Sequence, residues 1–143
     1  MLYREALLAG LIDGTIDMIA TDHAPHSVEE KSRGLKDSAM GIVGLETAFA
    51  ALNTHLVKKG IISLEHLIKI MSINPRKVFR IEGGIEVGQR ADIVLLDTNK
   101  QWRVDSNNFY SMGKITMFDG HEMTGDVVMT LQRGEIVYDN KTK

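Results

Sequence analysis

The chain has 143 residues with 17 basic and 19 acidic side chains, a balance that excludes the strongly basic surface of proteins that bind nucleic acids or anionic membranes. No apolar run approaches the ~18 residues of a membrane-spanning helix, and Arg4, Glu5 and Asp13 interrupt the stretch that a secretory signal would need. The absence of cysteine excludes disulfides, thiolate zinc ligands and cysteine nucleophiles, and is compatible with a cytoplasmic location. Any metal ion must therefore be held by His, Asp or Glu.

The first predicted elements are a helix and a strand. Residues 4–11 are rich in Ala and Leu, and Gly14 is well placed to end a helix there. A strand is predicted at residues 16–21, because residues 18–21 are typical of a strand buried on both faces in a parallel sheet. This order indicates an α/β segment.

The strongest chemical signal, Asp22-His23-Ala24-Pro25-His26, follows this strand directly. In α/β barrels and doubly wound sheets, catalytic side chains lie where strands give way to loops. Pro25 fixes its own φ and favours an extended Ala24, so the backbone is stiff and can hold the side chains of Asp22 and His26 in fixed directions. An Asp-His pair at a strand end is also common as a turn or helix cap, and spacing alone leaves both interpretations open.

Two segments follow this signal. Residues 27–38 are highly charged without an apolar period, which predicts a long exposed loop, either a solvated connector or a lid. Gly41 and Gly44 precede a predicted helix, where backbone amides can approach a bound anion or carbonyl. On its own, the glycine pattern is a weak signal.

Three helices are predicted next. The first ends at residues 58–60, and its apolar face is formed by Leu45, Ala48, Phe49, Leu52 and Leu56. The second begins at the N-cap Ser63 and ends near Ser72. A short third helix through Phe79 begins at Asn74-Pro75. His55 is interpreted as structural and His66 as a surface residue.

The predicted secondary structure changes from helices to strands near residue 80. Strands are predicted at residues 91–97, 127–131 and 135–138, and the last two form a hairpin in which Gly134 takes the position with positive φ. We therefore expect two domains, an α/β segment at 1–80 and a small β domain at 81–143.

Several motifs together resemble one family. The Asp22–His26 segment is preceded by Asp-Gly-Thr-Ile-Asp at 13–17 and followed by Glu30-Lys31 and by Gly-Ile-Val-Gly-Leu-Glu-Thr at 41–47. The likeness continues through Asn74-Pro75 and the passage Gly-Ile-Glu-Val-Gly-Gln-Arg-Ala-Asp-Ile-Val at 84–94. With these motifs, essentially the whole chain resembles the C-terminal part of bacterial dihydroorotases of the amidohydrolase superfamily.

The resemblance implies an α/β plus β fold. Residues 1–80 would be the last βα units of an incomplete metal-dependent (β/α)8 barrel, with strand 8, the substrate loop and the following helices, and residues 81–143 a small β-sandwich-like domain. The implied reaction is the reversible hydrolysis of dihydroorotate, a cyclic amide, to N-carbamoyl-aspartate in pyrimidine biosynthesis.

The resemblance also implies roles for individual residues. Asp22 matches the aspartate after the eighth barrel strand, which binds zinc, acts as general base toward a bridging hydroxide and then protonates the leaving nitrogen. His26 matches a residue that contacts the substrate carboxylate, and Met40 with Gly41 matches a pair whose backbone contacts the substrate ring. His23 matches no ligand and is interpreted as structural or supporting.

The implied binuclear zinc site is incomplete in this chain, because the other family ligands lie upstream of any residue present. A catalytic zinc needs about three protein ligands, and Asp22 is the only credible one. We therefore expect an isolated chain to be inactive and to need an upstream barrel portion. Other expected partners are a second copy of the chain or aspartate carbamoyltransferase. The alternatives are another cyclic amidase, similar to allantoinase or dihydropyrimidinase, and a non-catalytic dihydroorotase-like module.

Overall fold

Helix α1 spans Leu2–Asp13 in the computed structural model, which describes residues 2–142 and the side chains of residues 3–141. Gly14 ends it with φ of +86°, as the sequence predicts. Two of its last carbonyls have partners beyond the helix: the Ile16 amide donates to Gly10 O at 2.8 Å, and His66 Nε2 lies 2.9 Å from Leu11 O. His66 is therefore half-buried against α1, and its prediction as a surface residue is wrong.

The strand predicted at residues 16–21 does not form a ladder with any described neighbour. Ala20 is exposed, and Met18 is only half-buried. A single parallel bridge joins His23 to Ile42, with the Ala24 amide donating to Ile42 O at 2.9 Å. A parallel strand needs hydrogen-bonding neighbours along its edges, and this bridge lies at His23, two residues beyond the predicted strand. The expected barrel strand is thus not found in the described residues.

Residues 27–38 contain two single helical turns, α2 at Val28–Lys31 and α3 at Gly34–Asp37, instead of the predicted irregular loop. The Ser27 hydroxyl accepts from the Glu30 amide while the Glu30 carboxylate accepts from the Ser27 amide. This reciprocal capping box is the local reason why so short a turn forms. The segment is nevertheless mostly exposed, as predicted.

Two helices contain π-helical segments. Helix α4, Ala48–Leu52, continues without a break into the π segment Asn53–Val57. Helix α5, Leu64–Ile68, is capped by Ser63 as predicted and continues through the π segment Lys69–Ile73 into α6, Asn74–Phe79. We call this continuous element the long helix.

The predicted break before Asn74 is therefore absent, because the π turn accommodates Pro75. A proline lacks an N–H and its ring crowds the carbonyl four residues before it. The Asn74 amide instead donates to Lys69 O, five residues back, which is the wider spacing of a π turn. The Asn74 side chain does not cap the helix as predicted, since its Nδ2 donates to Asp17 O at 2.6 Å.

The helical part has its own core. Leu67 and Ile70 of the long helix are fully buried against two other buried side chains, Leu11 of α1 and Ile62. Leu45, which the sequence pattern placed on the apolar face of α4, is outside the helix and largely exposed. His55 is exposed in the π segment that follows α4.

The three predicted strands form one antiparallel sheet in the order β1-β2-β3. β1 spans Ile93–Arg103, β2 spans Glu122–Gln132 and β3 spans Glu135–Asp139. The predicted β2–β3 hairpin is confirmed, and both Arg133 and Gly134 have positive φ, as in the favoured two-residue hairpin turn. Within residues 2–142 no second sheet packs on the first, so the expected sandwich is not observed there.

Side chains on both sides of residue 80 pack together. Ala50 of α4 is buried with Val104 and Met123 of the sheet region. Fully buried Asn53 donates from Nδ2 to Thr98 O at 3.1 Å and to Thr124 O at 2.8 Å. The proposed boundary at residue 80 stays a prediction. Among the described residues, no helix has the length and apolar character to cross a membrane.

Candidate functional site

Asp22 has an unusual backbone conformation. Its φ is +47°, a left-handed conformation that is uncommon for a residue with a side chain and is tolerated best by Asp and Asn. Its side chain is exposed. The residue to which the resemblance assigns proton transfer thus has an uncommon left-handed backbone conformation, and such backbone outliers concentrate at functional sites.

His23 has a structural task. Its Nδ1 accepts hydrogen bonds from the backbone amides of Gly44 and Leu45, at 3.2 and 3.3 Å. The lone pair on Nδ1 is therefore in use, and a neutral ring carries its proton on Nε2. His23 therefore joins the Asp22–His26 segment to the backbone at Gly44 and Leu45, in agreement with its interpretation as structural.

His26 lies beside an acid. Its Nδ1 is 3.6 Å from Glu30 Oε2, and the two side chains are 31% and 48% exposed. The Ser27 amide donates to the Glu30 carboxylate and lowers the pKa of Glu30, and the nearby His26 lowers it further. Glu30 is therefore held as an anion facing the His26 ring, which orients that ring.

Met40 and Gly41 lie against the same segment. Gly41 has φ of +101°, and a Cβ built there would lie 2.5 Å from Ala24 Cβ. Only glycine permits this approach, which, with the His23–Ile42 bridge, places the Met40-Gly41 loop alongside Asp22–His26. Met40 is 86% exposed. The structure thus brings together the two segments that contain all the residues predicted for the site.

Lys31 contacts the Met40-Gly41 loop, and the sequence interpretation missed this contact. Its Nζ donates to Ala39 O at 2.9 Å and to Gly41 O at 2.8 Å, and the side chain is half-buried. The charge pattern of residues 27–38 suggested a solvated segment and gave no periodic signal. The only sequence signal that could have identified Lys31 was its place in the Glu30-Lys31 motif of the resemblance.

Residues that precede β2 also contact the Met40-Gly41 loop and the segments next to it. The Val43 amide donates to Ile115 O at 3.0 Å, and a Cβ at Gly113 would lie 2.8 Å from Pro25 Cα. The Glu46 carboxylate accepts from the backbone amides of Tyr110 and Ser111. The site segments thus rest on backbone from the far side of the predicted domain boundary.

The described residues do not fit a complete zinc site. No three His, Asp or Glu side chains lie close enough within residues 2–142 to hold a metal ion. His23 uses Nδ1 for two backbone amides, and His26 faces Glu30 with its own Nδ1. Asp22 is therefore at most a single ligand, and the metal chemistry of a complete site would depend on further residues.

Two cavities lie elsewhere. One of about 1050 Å³ lies between the long helix and β1 and includes Met71, Arg76 and Ile93 in its lining. The other, of about 410 Å³, lies between α4 and the sheet beside Trp102. Neither is lined by Asp22, His26, Met40 or Gly41, so the predicted site residues lie outside both.

A model of the amidohydrolase family matches residues 3–137, nearly the whole chain. The chain belongs to the amidohydrolase family. Members of this family are generally metal-dependent. The match confirms the superfamily that the sequence motifs indicate.

Curated relatives of this amidohydrolase chain include the dihydroorotase of Fusobacterium nucleatum subsp. nucleatum, 50% identical over 139 residues. That alignment covers 96% of this chain and 33% of the relative. The dihydroorotase of Bacillus cytotoxicus is 49% identical, with 97% and 33% covered. The predicted resemblance to dihydroorotases is thus confirmed, and the chain spans about a third of the length of these relatives.

Among solved structures, the amidohydrolase chain is similar to the L-hydantoinase (dihydropyrimidinase) of Arthrobacter aurescens, with a TM-score of 0.84 and 39% identity. The alignment covers 93% of this chain and 31% of that one. Dihydropyrimidinase from Brevibacillus agri gives a TM-score of 0.85 at 29% identity. The arrangement of helices and sheet described above is therefore that of the corresponding part of known amidohydrolases.

Proposed function

We propose that this chain is part of a dihydroorotase, which interconverts dihydroorotate and N-carbamoyl-aspartate by opening and closing a cyclic amide, in the cytoplasm. The observation that carries the proposal is the 50% identity to a curated dihydroorotase over 96% of the chain. The alignment spans 139 of the 143 residues and so includes the Asp22–His26 segment, the Met40-Gly41 loop and the sheet.

Asp22 is the proposed proton carrier. Amide hydrolysis needs a group that removes a proton from water and a group that protonates the leaving nitrogen, and one carboxylate can do both in succession. Asp22 is exposed and has a left-handed backbone conformation, so its carboxylate is accessible to a reacting group. When bound in the complete enzyme, zinc would supply an activated water and polarise the amide carbonyl.

His26 and the Met40-Gly41 loop are the proposed substrate contacts. A partly exposed imidazole offers an N–H to a substrate carboxylate, and the backbone of residues 40–41 can approach a flat ring closely because Gly41 lacks a side chain. Glu30 lies 3.6 Å from His26 Nδ1, and His23 accepts a hydrogen bond from the Gly44 amide, three residues after Gly41.

The complete site needs more than this chain. The described residues offer one candidate zinc ligand, whereas a catalytic zinc takes about three from the protein. An upstream barrel portion would supply the other ligands and the remaining substrate contacts. A second candidate function, opening of a hydantoin or dihydropyrimidine ring, is favoured by the 39% identity to the L-hydantoinase. Both reactions open a cyclic amide, so the preferred substrate distinguishes the two candidate functions.

The test is to join this chain to the two thirds of the Fusobacterium nucleatum dihydroorotase that it does not match, and to assay the zinc-loaded protein with dihydroorotate and with hydantoin. We expect turnover of dihydroorotate, and a loss of about 10²–10⁴-fold in kcat for Asp22→Asn. Asp17→Asn, which changes another exposed aspartate five residues earlier, serves as the matched control and should retain activity.

Three outcomes separate the alternatives. Preference for hydantoin over dihydroorotate would support the second candidate function. A folded, zinc-loaded protein without activity on either substrate would support a non-catalytic module. Stoichiometric zinc binding and dihydroorotate turnover by the 143-residue chain alone would refute the proposal that further residues complete the site.

A further inference from the structure

We infer that Lys31 is a positioning residue, which fixes the direction of the backbone around Met40-Gly41 through hydrogen bonds to the carbonyls of Ala39 and Gly41. The inference rests on the proposed function only where it takes this loop as a substrate contact. The clamp itself is a property of the chain and can be tested without any activity.

The geometry of the clamp is specific. One ammonium group donates to the carbonyls of residues 39 and 41, at 2.9 and 2.8 Å, so the residue between them, Met40, is held from both sides. Hydrogen bonds from a charged donor are about twice as strong as neutral ones. Since the ammonium is half-buried, it needs these acceptors in place of the water it has lost.

The two bonds set the orientation of the peptide units. In a planar trans peptide, the C=O and the following N–H point in opposite directions. Because Ala39 O points at Lys31, the Met40 N–H points away from it, and the same holds for Gly41 O and the Ile42 N–H. Lys31 therefore determines which face of the loop presents carbonyls and which presents amides. A backbone that recognises a flat cyclic amide depends on that choice.

The same helical turn also contacts the other proposed substrate residue. Glu30 O accepts from the Ala39 amide at 2.9 Å, and the Glu30 carboxylate lies 3.6 Å from His26 Nδ1. The capping box with Ser27 fixes the conformation of this turn. Helix α2 thus links the orientation of the His26 ring to that of the Met40-Gly41 backbone.

The first experiment uses the 143-residue chain and measures amide hydrogen exchange by NMR. Lys31→Met keeps the length and the apolar stem of the side chain but removes the donors, Lys31→Arg restores a charged donor, and Lys36→Met is the matched control at an exposed lysine of α3. The reporter amides are those of Ala39, which donates to Glu30 O, and Ala24, which donates to Ile42 O next to the clamped carbonyl of Gly41. Leu131 in β2 serves as the remote reference.

For Lys31→Met we expect exchange at Ala39 and Ala24 to rise about tenfold or more, with Leu131 unchanged, because each bond to a charged donor contributes about a factor of ten. Lys31→Arg should return both rates to within about threefold of the original, and Lys36→Met should change neither. A uniform rise at all three amides, or no rise at Ala39, would overturn the inference.

The second experiment places Lys31→Met in the joined enzyme described above. We expect KM for dihydroorotate to rise about tenfold with kcat changed less than about twofold, which is the signature of lost uniform binding. An unchanged KM in an active enzyme would overturn the substrate part of the inference. If the joined enzyme lacks dihydroorotase activity, the proposed function fails, and the exchange measurements still decide whether Lys31 positions the loop.

Discussion

Replacing Gly41 by alanine tests the contact that holds the two site segments together. The new Cβ would lie 2.5 Å from Ala24 Cβ, whereas ordinary van der Waals contact is 3.4–4 Å, and the backbone has φ of +101°. The positive φ costs about 1–2 kcal/mol for a residue with a side chain. Relief of the overlap requires a backbone shift of the kind that costs about 1–3 kcal/mol. Together these predict a loss of about 2–5 kcal/mol in the free energy of unfolding.

The assay is urea unfolding of the 143-residue chain, with two further variants that separate the terms. Gly34→Ala has a similar φ of +79° but no atom within 4 Å of the new Cβ, so it should lose only the backbone cost of about 1–2 kcal/mol. In an Ala24→Gly background, Gly41→Ala should also cost only that amount, which gives a coupling energy of about 1–3 kcal/mol. Equal losses for Gly41→Ala and Gly34→Ala, with no coupling to Ala24, would refute the close approach.

Two other perturbations test the contact of helix with sheet and the surface charges. Asn53→Ala removes the donors to two backbone carbonyls and should lower the free energy of unfolding, measured in urea, by about 2–4 kcal/mol. The control Asn99→Ala, at an exposed residue, should lower it by less than about 0.5 kcal/mol. Equal losses for the two variants would contradict the buried role of Asn53. The pKa of Asp92 is lowered chiefly by the hydrogen bond from the Arg133 amide, and that of Asp119 by the hydrogen bond from the Ser106 amide. Both carboxylates therefore stabilise the folded state at pH values above their ordinary pKa of 3.8, and this stabilisation is lost as pH falls through the lowered folded-state pKa. The urea midpoint should stay level from pH 7 to 5 and fall by pH 3, and an Asp92→Asn variant should show a smaller fall; a midpoint that rises on acidification would contradict this reasoning.

Much of the fold follows from local sequence patterns. The Ala- and Leu-rich stretch before Gly14 forms α1, Ser63 caps α5, and the turn at Arg133-Gly134 joins β2 to β3. These features depend on a few neighbouring residues, so one sequence suffices to find them. The nearness of the Gly41 loop to Asp22–His26 could be expected only from the resemblance, because no local rule connects positions about 20 residues apart.

The wrong predictions concern interactions that are not local. The apolar run at residues 18–21 resembles a buried strand, but a strand also needs neighbours, and the bridge found in the described residues lies beyond the run, at His23. Asn74-Pro75 resembles a helix start, yet the π turn before it lets the long helix continue. Lys31 was hidden among surface charges, because its acceptors, Ala39 O and Gly41 O, lie eight and ten residues away.

The hydrogen bond between the His66 ring and the Leu11 carbonyl affects how helix α1 folds. The last four carbonyls of a helix have no partner within it, and here the Leu11 carbonyl is paired with His66 of the long helix. Helix α1 therefore completes its end only after the long helix has docked, although 55 residues separate the two partners. Its final turn should protect its amides from exchange together with the Leu67–Ile70 core and not ahead of it. We therefore predict that helix α1 and the long helix unfold as one cooperative unit.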